Sequence, residues 1–155
     1  MLRTMHRPRI YLAGPMAGLT IEEATQWRNE LQVTMGRAFE FINPCRNKED
    51  LIEFGPLGKD GHEDSFMGSD KVIFARDSHD VKTCDAVFAY FLNSPGVSVG
   101  TLMELGMAHA WGKPIISVVA KGSPYDHLFV RQASLYITDN PEEATLALRS
   151  IFNLL

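Results

Sequence analysis

The sequence predicts a single α/β domain over residues 1–155, a parallel sheet with helices on both faces. Three observations lead there. Short β-branched and aromatic runs alternate with stretches of helical periodicity along the chain. Ala86 to Leu92 (AVFAYFL) is continuously apolar, as a strand covered on both faces must be. The length of 155 residues is about one domain, enough to bury roughly 70% of the unfolded surface.

Arg9 to Ala13 (RIYLA) reads as the first strand and runs into Gly14-Pro15, a loop signal. Thr20-Ile21-Glu22-Glu23 is a capping-box pattern, after which Ile21, Ala24, Trp27, Leu31 and Met35 recur at helical spacing until Gly36. Phe39 to Asn43 (FEFIN) is the second strand, ended by Pro44. Arg46 to Gly68 is polar and glycine-rich, too long for an ordinary connector, and is read as a functional loop or a lid. Helix returns between Ser69 and Thr83, and Ala86 to Leu92 is the third strand. Thr101 to Trp111 is helical and closed by Gly112, and Pro114 to Val119 is the fourth strand. Leu135 to Thr138 is a weak fifth strand. Asn140-Pro141 then opens a final amphipathic helix with Asn as cap and Pro at its first position.

Composition excludes several classes of function. Apolar residues make up 45% and charged residues 22%, as in ordinary globular proteins. A net charge of −4 leaves no positive excess to neutralise a phosphate backbone, so a nucleic acid polymer is not expected as partner. No apolar stretch approaches the roughly 20 residues that cross a bilayer, and the basic start MLRTMHRPR lacks the apolar core of a signal peptide. The two cysteines, Cys45 and Cys84, are not in CxxC spacing and suit a reducing cytoplasm.

In open parallel sheets ligands bind beyond the carboxyl ends of the strands, which points to the loops 14–18, 93–100 and 120–126. The first, GPMAG, is neither GxGxxG nor a P-loop, so NAD and ATP lose their support. The loop can still present backbone N–H groups to a sugar or phosphate, or be a plain turn. Glu104 falls near a helix start, where the dipole favours an ionised carboxylate of the kind that attacks an anomeric carbon. Thr101-x-x-Glu104 is also a capping box, and spacing alone favours the cap. Asp77, Asp80 and Asp85 precede the third strand, and spacing leaves open which of them would share a pocket with Glu104. The histidines at 6, 62, 79, 109 and 127 show no metal spacing; His62-Glu63-Asp64 reads as a solvated turn and His109 as a partly buried structural residue. His127 follows the fourth strand and could reach a ligand, reach a neighbouring subunit, or merely cap a loop. No metal is expected.

Taken together, Ile10 to Pro15 (IYLAGP), Asp77 to Asp85 (DSHDVKTCD), Ser98 to Ala108 (SVGTLMELGMA) and Gly112-Lys113-Pro114 resemble the nucleoside 2-deoxyribosyltransferase family, over most of the chain except the Arg46 to Gly68 loop. The resemblance implies a five-stranded flavodoxin-like domain, a Rossmann-like fold, that cleaves the N-glycosidic bond of a 2-deoxynucleoside without metal or cofactor. By match to MELG, Glu104 would be the nucleophile that forms a deoxyribosyl ester. The family's second acid lies eight residues before the third-strand Asp, which selects Asp77 to protonate the leaving base and orient the incoming one. Tyr11 would line the site with Gly14, Pro15 and Met16 from the first loop and Ser98, Gly100 and Met103 from the segment ahead of Glu104. The partners implied are a deoxynucleoside or deoxynucleotide, a free nucleobase, and further copies of the chain in a homo-oligomer whose shared site receives His127.

Six residues before the nucleophile, transferases of free nucleosides carry Asp, whereas this chain has Ser98. An anionic side chain there would repel a 5′-phosphate and a hydroxyl would not. Ser98 resembles the sister 5′-monophosphate N-glycosidases, which pass the sugar to water, although Pro15 and His127 stand where those enzymes carry hydroxyls. Deoxyribosyl transfer and monophosphate hydrolysis therefore both remain expectations in nucleotide salvage. A nucleotide-binding module without turnover is the third reading; the paired carboxylates argue against it, because binding alone does not need them desolvated.

Overall fold

The computed structural model describes residues 6–47, 55–58 and 69–155. The elements run β1 (Arg9–Ala13), α1 (Ile21–Met35), β2 (Glu40–Ile42), α2 (Asp70–Thr83), β3 (Ala86–Tyr90), α3 (Val99–Ala110), β4 (Ile115–Val118), α4 (Leu128–Ala133), β5 (Tyr136–Thr138) and α5 (Pro141–Ile151). All four strand pairings are parallel, in the order β2-β1-β3-β4-β5. This is the flavodoxin-like order, in which the chain leaves β1 toward one sheet edge and β3 toward the other. Right-handed crossovers in opposite directions must use opposite faces. Helices α1 and α5 accordingly cover one face, and α2, α3 and α4 the other.

Strand alternation assigns each side chain to a face. Ile10, Leu12, Ala86 and Phe88 pack with Trp27, Leu31 and Leu148. Tyr11, Ala13, Val87 and Ala89 pack with Val81, Leu105 and Ala108. Tyr11 therefore emerges under α2 and α3, in register with Val87 of β3.

Several expected boundaries shift. Helix α3 begins at Val99 rather than Thr101, because Ser98 supplies the cap. Helix α4 had no signal in the sequence: at six residues it is too short to display a periodicity. His109, expected to be partly buried, is exposed on the outer side of α3. His62-Glu63-Asp64 and most of the Arg46 to Gly68 loop lie outside the described residues. Among the described residues, no helix is long and apolar enough to cross a membrane.

Residues 55–58 return to the β1–α1 loop. Gly18 N donates to Leu57 O and Leu57 N to Leu19 O, both at 2.7 Å. Leu57 is buried with Leu19, Ile21, Ala24 and Cys45.

At the end of β1, Arg28 of α1 is 1% exposed and donates to the carbonyls of Leu12 (3.3 Å), Gly14 (3.1 Å) and Ala24. Its guanidinium lies 4.4 Å from the Trp27 ring centroid. Gly14 is what lets these groups converge, since a Cβ there would meet Trp27 Cζ2 at 2.8 Å and the Tyr90 carbonyl at 2.9 Å. Gly14→Ala is expected to destabilise by about 1–3 kcal/mol, because a backbone carbonyl cannot step aside. Gly106→Ala, on α3 with nothing within 4 Å of the new methyl, is expected to stabilise by about 0.5–1 kcal/mol. Urea midpoints at unchanged slope measure both.

Candidate active site

A cleft of about 610 Å³ opens where strand order reverses, beyond the carboxyl ends of β1 and β3. Gly14, Met16 and Ala17 of the β1–α1 loop form one wall, with Pro44, Leu57 and Gly58 beside them. Helix α2 contributes Asp70, Ile73, Phe74, Asp77 and Ser78. The α3 side presents Ser98, Gly100, Thr101, Met103 and Glu104. Its size is that of a site for a small organic ligand.

The capping box between Thr101 and Glu104 does not form. Ser98 Oγ accepts from Thr101 N at 3.3 Å and pairs with Thr101 Oγ1 at 2.9 Å, which makes Ser98 the cap and Thr101 the buried third residue of the helix. Glu104 is then the sixth residue, a full turn beyond the cap. Tyr11 Oη donates to its Oε1 at 2.9 Å.

Tyr11 is completely buried, and its pKa is pushed well above the usual phenolic value, first by burial and then by the charges of Glu104 and Asp77, with Arg28 opposing. It thus remains an O–H donor to Glu104 through neutral and moderately alkaline pH. Tyr11 of β1 thus reaches Glu104 of α3 from below, while Asp77 of α2 lines the same cleft. Arg28 lies behind them; burial lowers its pKa, and the negative charge that Cys45 and Tyr11 take on when they ionise, together with that of Glu104 and Asp77, opposes that loss.

Of the three aspartates the sequence left open, the structure brings only Asp77 into the cleft. Asp80 is held by Arg46 at 2.5 Å. Asp85 accepts from Arg9 N at 2.7 Å, at the opposite end of the strands. Asp77 is buried and paired with Arg76 at 3.0 Å.

Tyr11, expected to line the site, and Pro15 are not among the cleft-lining residues, since Tyr11 is wholly buried and reaches the cleft only through its bond to Glu104. His127 is not among them either: it is exposed and caps α4, its Nδ1 accepting from Phe129 N at 3.3 Å. Met16 meets the Cys45 thiol at 3.1 Å. Two residues escaped the sequence reading. Buried Tyr125 accepts from Ser98 N (2.6 Å), donates to Gly96 O (2.7 Å) and stacks on Phe91 at 4.2 Å, so it presets the loop that carries Ser98. Arg28 reaches carbonyls 14 and 16 residues away, and neither residue sits in a local motif that could announce it.

A model of the nucleoside 2-deoxyribosyltransferase family matches residues 10–145. Among solved structures, the CMP N-glycosidase BcmB of Clostridium botulinum is similar at 25% identity and TM-score 0.55, covering 93% of this chain and 98% of that one. The 2-deoxyribosyltransferase of Bacillus psychrosaccharolyticus shares the fold at 22% identity and TM-score 0.60, covering 87% and 88%. So does a molybdenum cofactor binding protein of Rippkaea orientalis, at 20% identity and TM-score 0.60, covering 96% and 99%. A search of curated proteins found no match.

Tyr11→Phe is expected to lower stability by about 1.5–3 kcal/mol at neutral pH, the range for a hydrogen bond to a charged group. Because the folded pKa of Tyr11 is raised, its proton-linked contribution is complete below about pH 10 and is lost as pH rises above it. Denaturant titrations at a series of pH values should show wild type losing stability more steeply than the variant only above about pH 10.

Proposed function

The chain belongs to the nucleoside 2-deoxyribosyltransferase family, and from that premise we propose that it breaks the N-glycosidic bond of a 2′-deoxynucleoside 5′-monophosphate through a covalent ester on Glu104. The observation that carries this reading is the Tyr11–Glu104 hydrogen bond beneath the cleft, with Asp77 and Glu104 both lining that cleft. Tyr11 holds one carboxylate oxygen and so aims the group at the sugar. In the first step a Glu104 oxygen bonds to C1′ while the C1′–N bond breaks and its electron pair passes to the base nitrogen. Asp77 lies where it can supply or relay the proton that the departing base takes up. In the second step water or a second base attacks C1′ as the C1′–Glu104 bond breaks, its electron pair returning to the carboxylate and the proton of the attacking group passing to Asp77, so two inversions restore the original configuration.

The 5′-phosphate is favoured by Ser98. This residue lines the cleft without charge at the first turn of α3, whose N–H groups and dipole attract an anion. The similarity to a CMP N-glycosidase supports the same substrate form. With water as acceptor the products are free base and deoxyribose 5-phosphate; with a base as acceptor the enzyme is a deoxyribosyltransferase.

We further propose that a second copy of the chain completes the cleft. Val97, Val99 and Met103 at its mouth, and Leu128 and Phe129 next to His127, are exposed apolar side chains of the kind oligomers cover. His127 would then serve the neighbour's site. Both cysteines are buried free thiols, which suits a cytoplasmic enzyme.

Glu104→Ala is expected to abolish turnover while leaving a cooperative thermal transition, since the covalent path is lost. Full activity in this variant would remove the nucleophile assignment. Mass spectrometry with a slow 2-fluoro substrate should find the sugar adduct on Glu104 in wild type.

Ser98→Asp places a charge beside the 5′ substituent, and at an effective dielectric of about 20 two charges about 4 Å apart cost about 4 kcal/mol. kcat/KM for the monophosphate should fall about a thousandfold, with the free nucleoside spared. A wild type that ignores monophosphates and acts on free nucleosides would make it a transferase or hydrolase of nucleosides instead.

A further inference from the structure

Arg76 and Asp77 are neighbours in α2, and consecutive residues of a helix point about 100° apart, so they do not ordinarily meet. Here they do. Arg76 Nε donates to Asp77 Oδ1 at 3.0 Å, and Nη2 lies at the same distance from that oxygen. The arm is bent back by two backbone carbonyls of the loop after β2: Nη2 donates to Pro44 O at 2.6 Å and Nη1 to Arg46 O at 3.3 Å. The side chains of Arg76 and Asp77 are only 13% and 8% exposed, so the pair is shielded from solvent. Arg46 reinforces the junction, donating to Asn43 O at 3.0 Å and to Asp80 at 2.5 Å. The guanidinium fork therefore ties a carboxylate in the cleft to the segment bearing Pro44, itself a wall of the cleft.

We propose that Arg76 is a positioning residue of the reaction: its charge and fork orient the Asp77 carboxylate and set the pH at which Asp77 takes up and releases its proton. This rests on the reading of Asp77 as the acid that serves the base. Among the described residues, the other charged or titratable groups around Asp77 include Tyr11 from β1, Arg28 from α1, Glu104 from α3, and Asp80, Arg46 and Asp70 from α2 and its adjoining loop. Tyr11 stays neutral, Glu104 and Asp70 are of like sign to Asp77, and Asp80 and Arg46 satisfy each other. Arg28 is committed to three carbonyls. Arg76 alone of these is a cation in direct hydrogen-bond contact with Asp77 in the described structure. A cation at that range favours the ionised carboxylate.

The test is the pH profile of kcat/KM, measured with a deoxynucleoside 5′-monophosphate on wild type, Asp77→Asn, Arg76→Gln and Arg76→Lys. The limb that disappears in Asp77→Asn belongs to Asp77. Arg76→Gln, which removes the charge, should move that limb to higher pH by about one unit or more, and Arg76→Lys, which keeps it, should leave the limb near its wild-type position. If Arg76→Gln does not fold, Arg76→citrulline keeps the fork without the charge and reads the same shift. A limb that vanishes in Asp77→Asn but stays in place without the Arg76 charge overturns the proposal, even if kcat or thermal stability falls, because a brace alone would not move a titration. A limb that survives in Asp77→Asn overturns the reading of Asp77 itself, and the role of Arg76 with it.

Discussion

The structure turns on a buried cation. Arg28 has been taken out of water at a cost of several kcal/mol unless its donors are satisfied, and the groups that satisfy it are the carbonyls at the end of β1 together with one in its own helix. That requirement draws α1 against the β1 terminus, lays the guanidinium on Trp27 and brings the chain so near Tyr90 that position 14 has no room for a side chain. The same positive charge stands behind Tyr11, Glu104 and Asp77. One residue thus shapes the floor of the cleft and offsets the repulsion of the acids gathered above it.

Those acids come from separate elements, and each is delivered by a different device. Strand alternation turns Tyr11 toward α3. The Ser98 cap starts α3 early enough that Glu104 falls one turn inside the helix, at the height of the Tyr11 hydroxyl. Tyr125, reaching over from the loop after β4, holds the 94–98 loop in place so that the cap forms there. On α2 the device is Arg76, which grips the loop after β2, while Arg46 of that loop holds Asp80 of the helix. Residues 55–58, bonded to Gly18 and Leu19, complete the wall between them. The convergence occurs at the crevice between β1 and β3, because the helices there depart to opposite faces and leave the carboxyl ends of the strands uncovered.

Membership of the nucleoside 2-deoxyribosyltransferase family places the chain among enzymes of N-glycosidic bond chemistry. The family's resemblance pointed to Glu104 and Asp77 together, whereas the bare spacing of Thr101 and Glu104 pointed to a cap. The two readings parted because a capping box is a local pattern that any Thr-x-x-Glu satisfies, while only the neighbouring strand and loop decide which residue starts the helix.

By itself the sequence determined the sheet, the alternation of its strands with helices, and the caps at Thr20 and Asn140, since each follows from local periodicity and local hydrogen bonding. It also marked the three loops at the carboxyl ends of the strands. Only the tertiary structure decided that Asp77 faces the cleft while Asp80 and Asp85 are spent on Arg46 and the backbone of Arg9, that His109 and His127 stand outside, and that Ser98 rather than Thr101 caps α3. It decided as well that Arg28 lies buried under the end of β1 and that Arg76 pairs with Asp77. Which partner an ionic or polar side chain finds depends on groups that are distant along the chain and are brought within a few ångströms only by packing, and no local pattern records that distance.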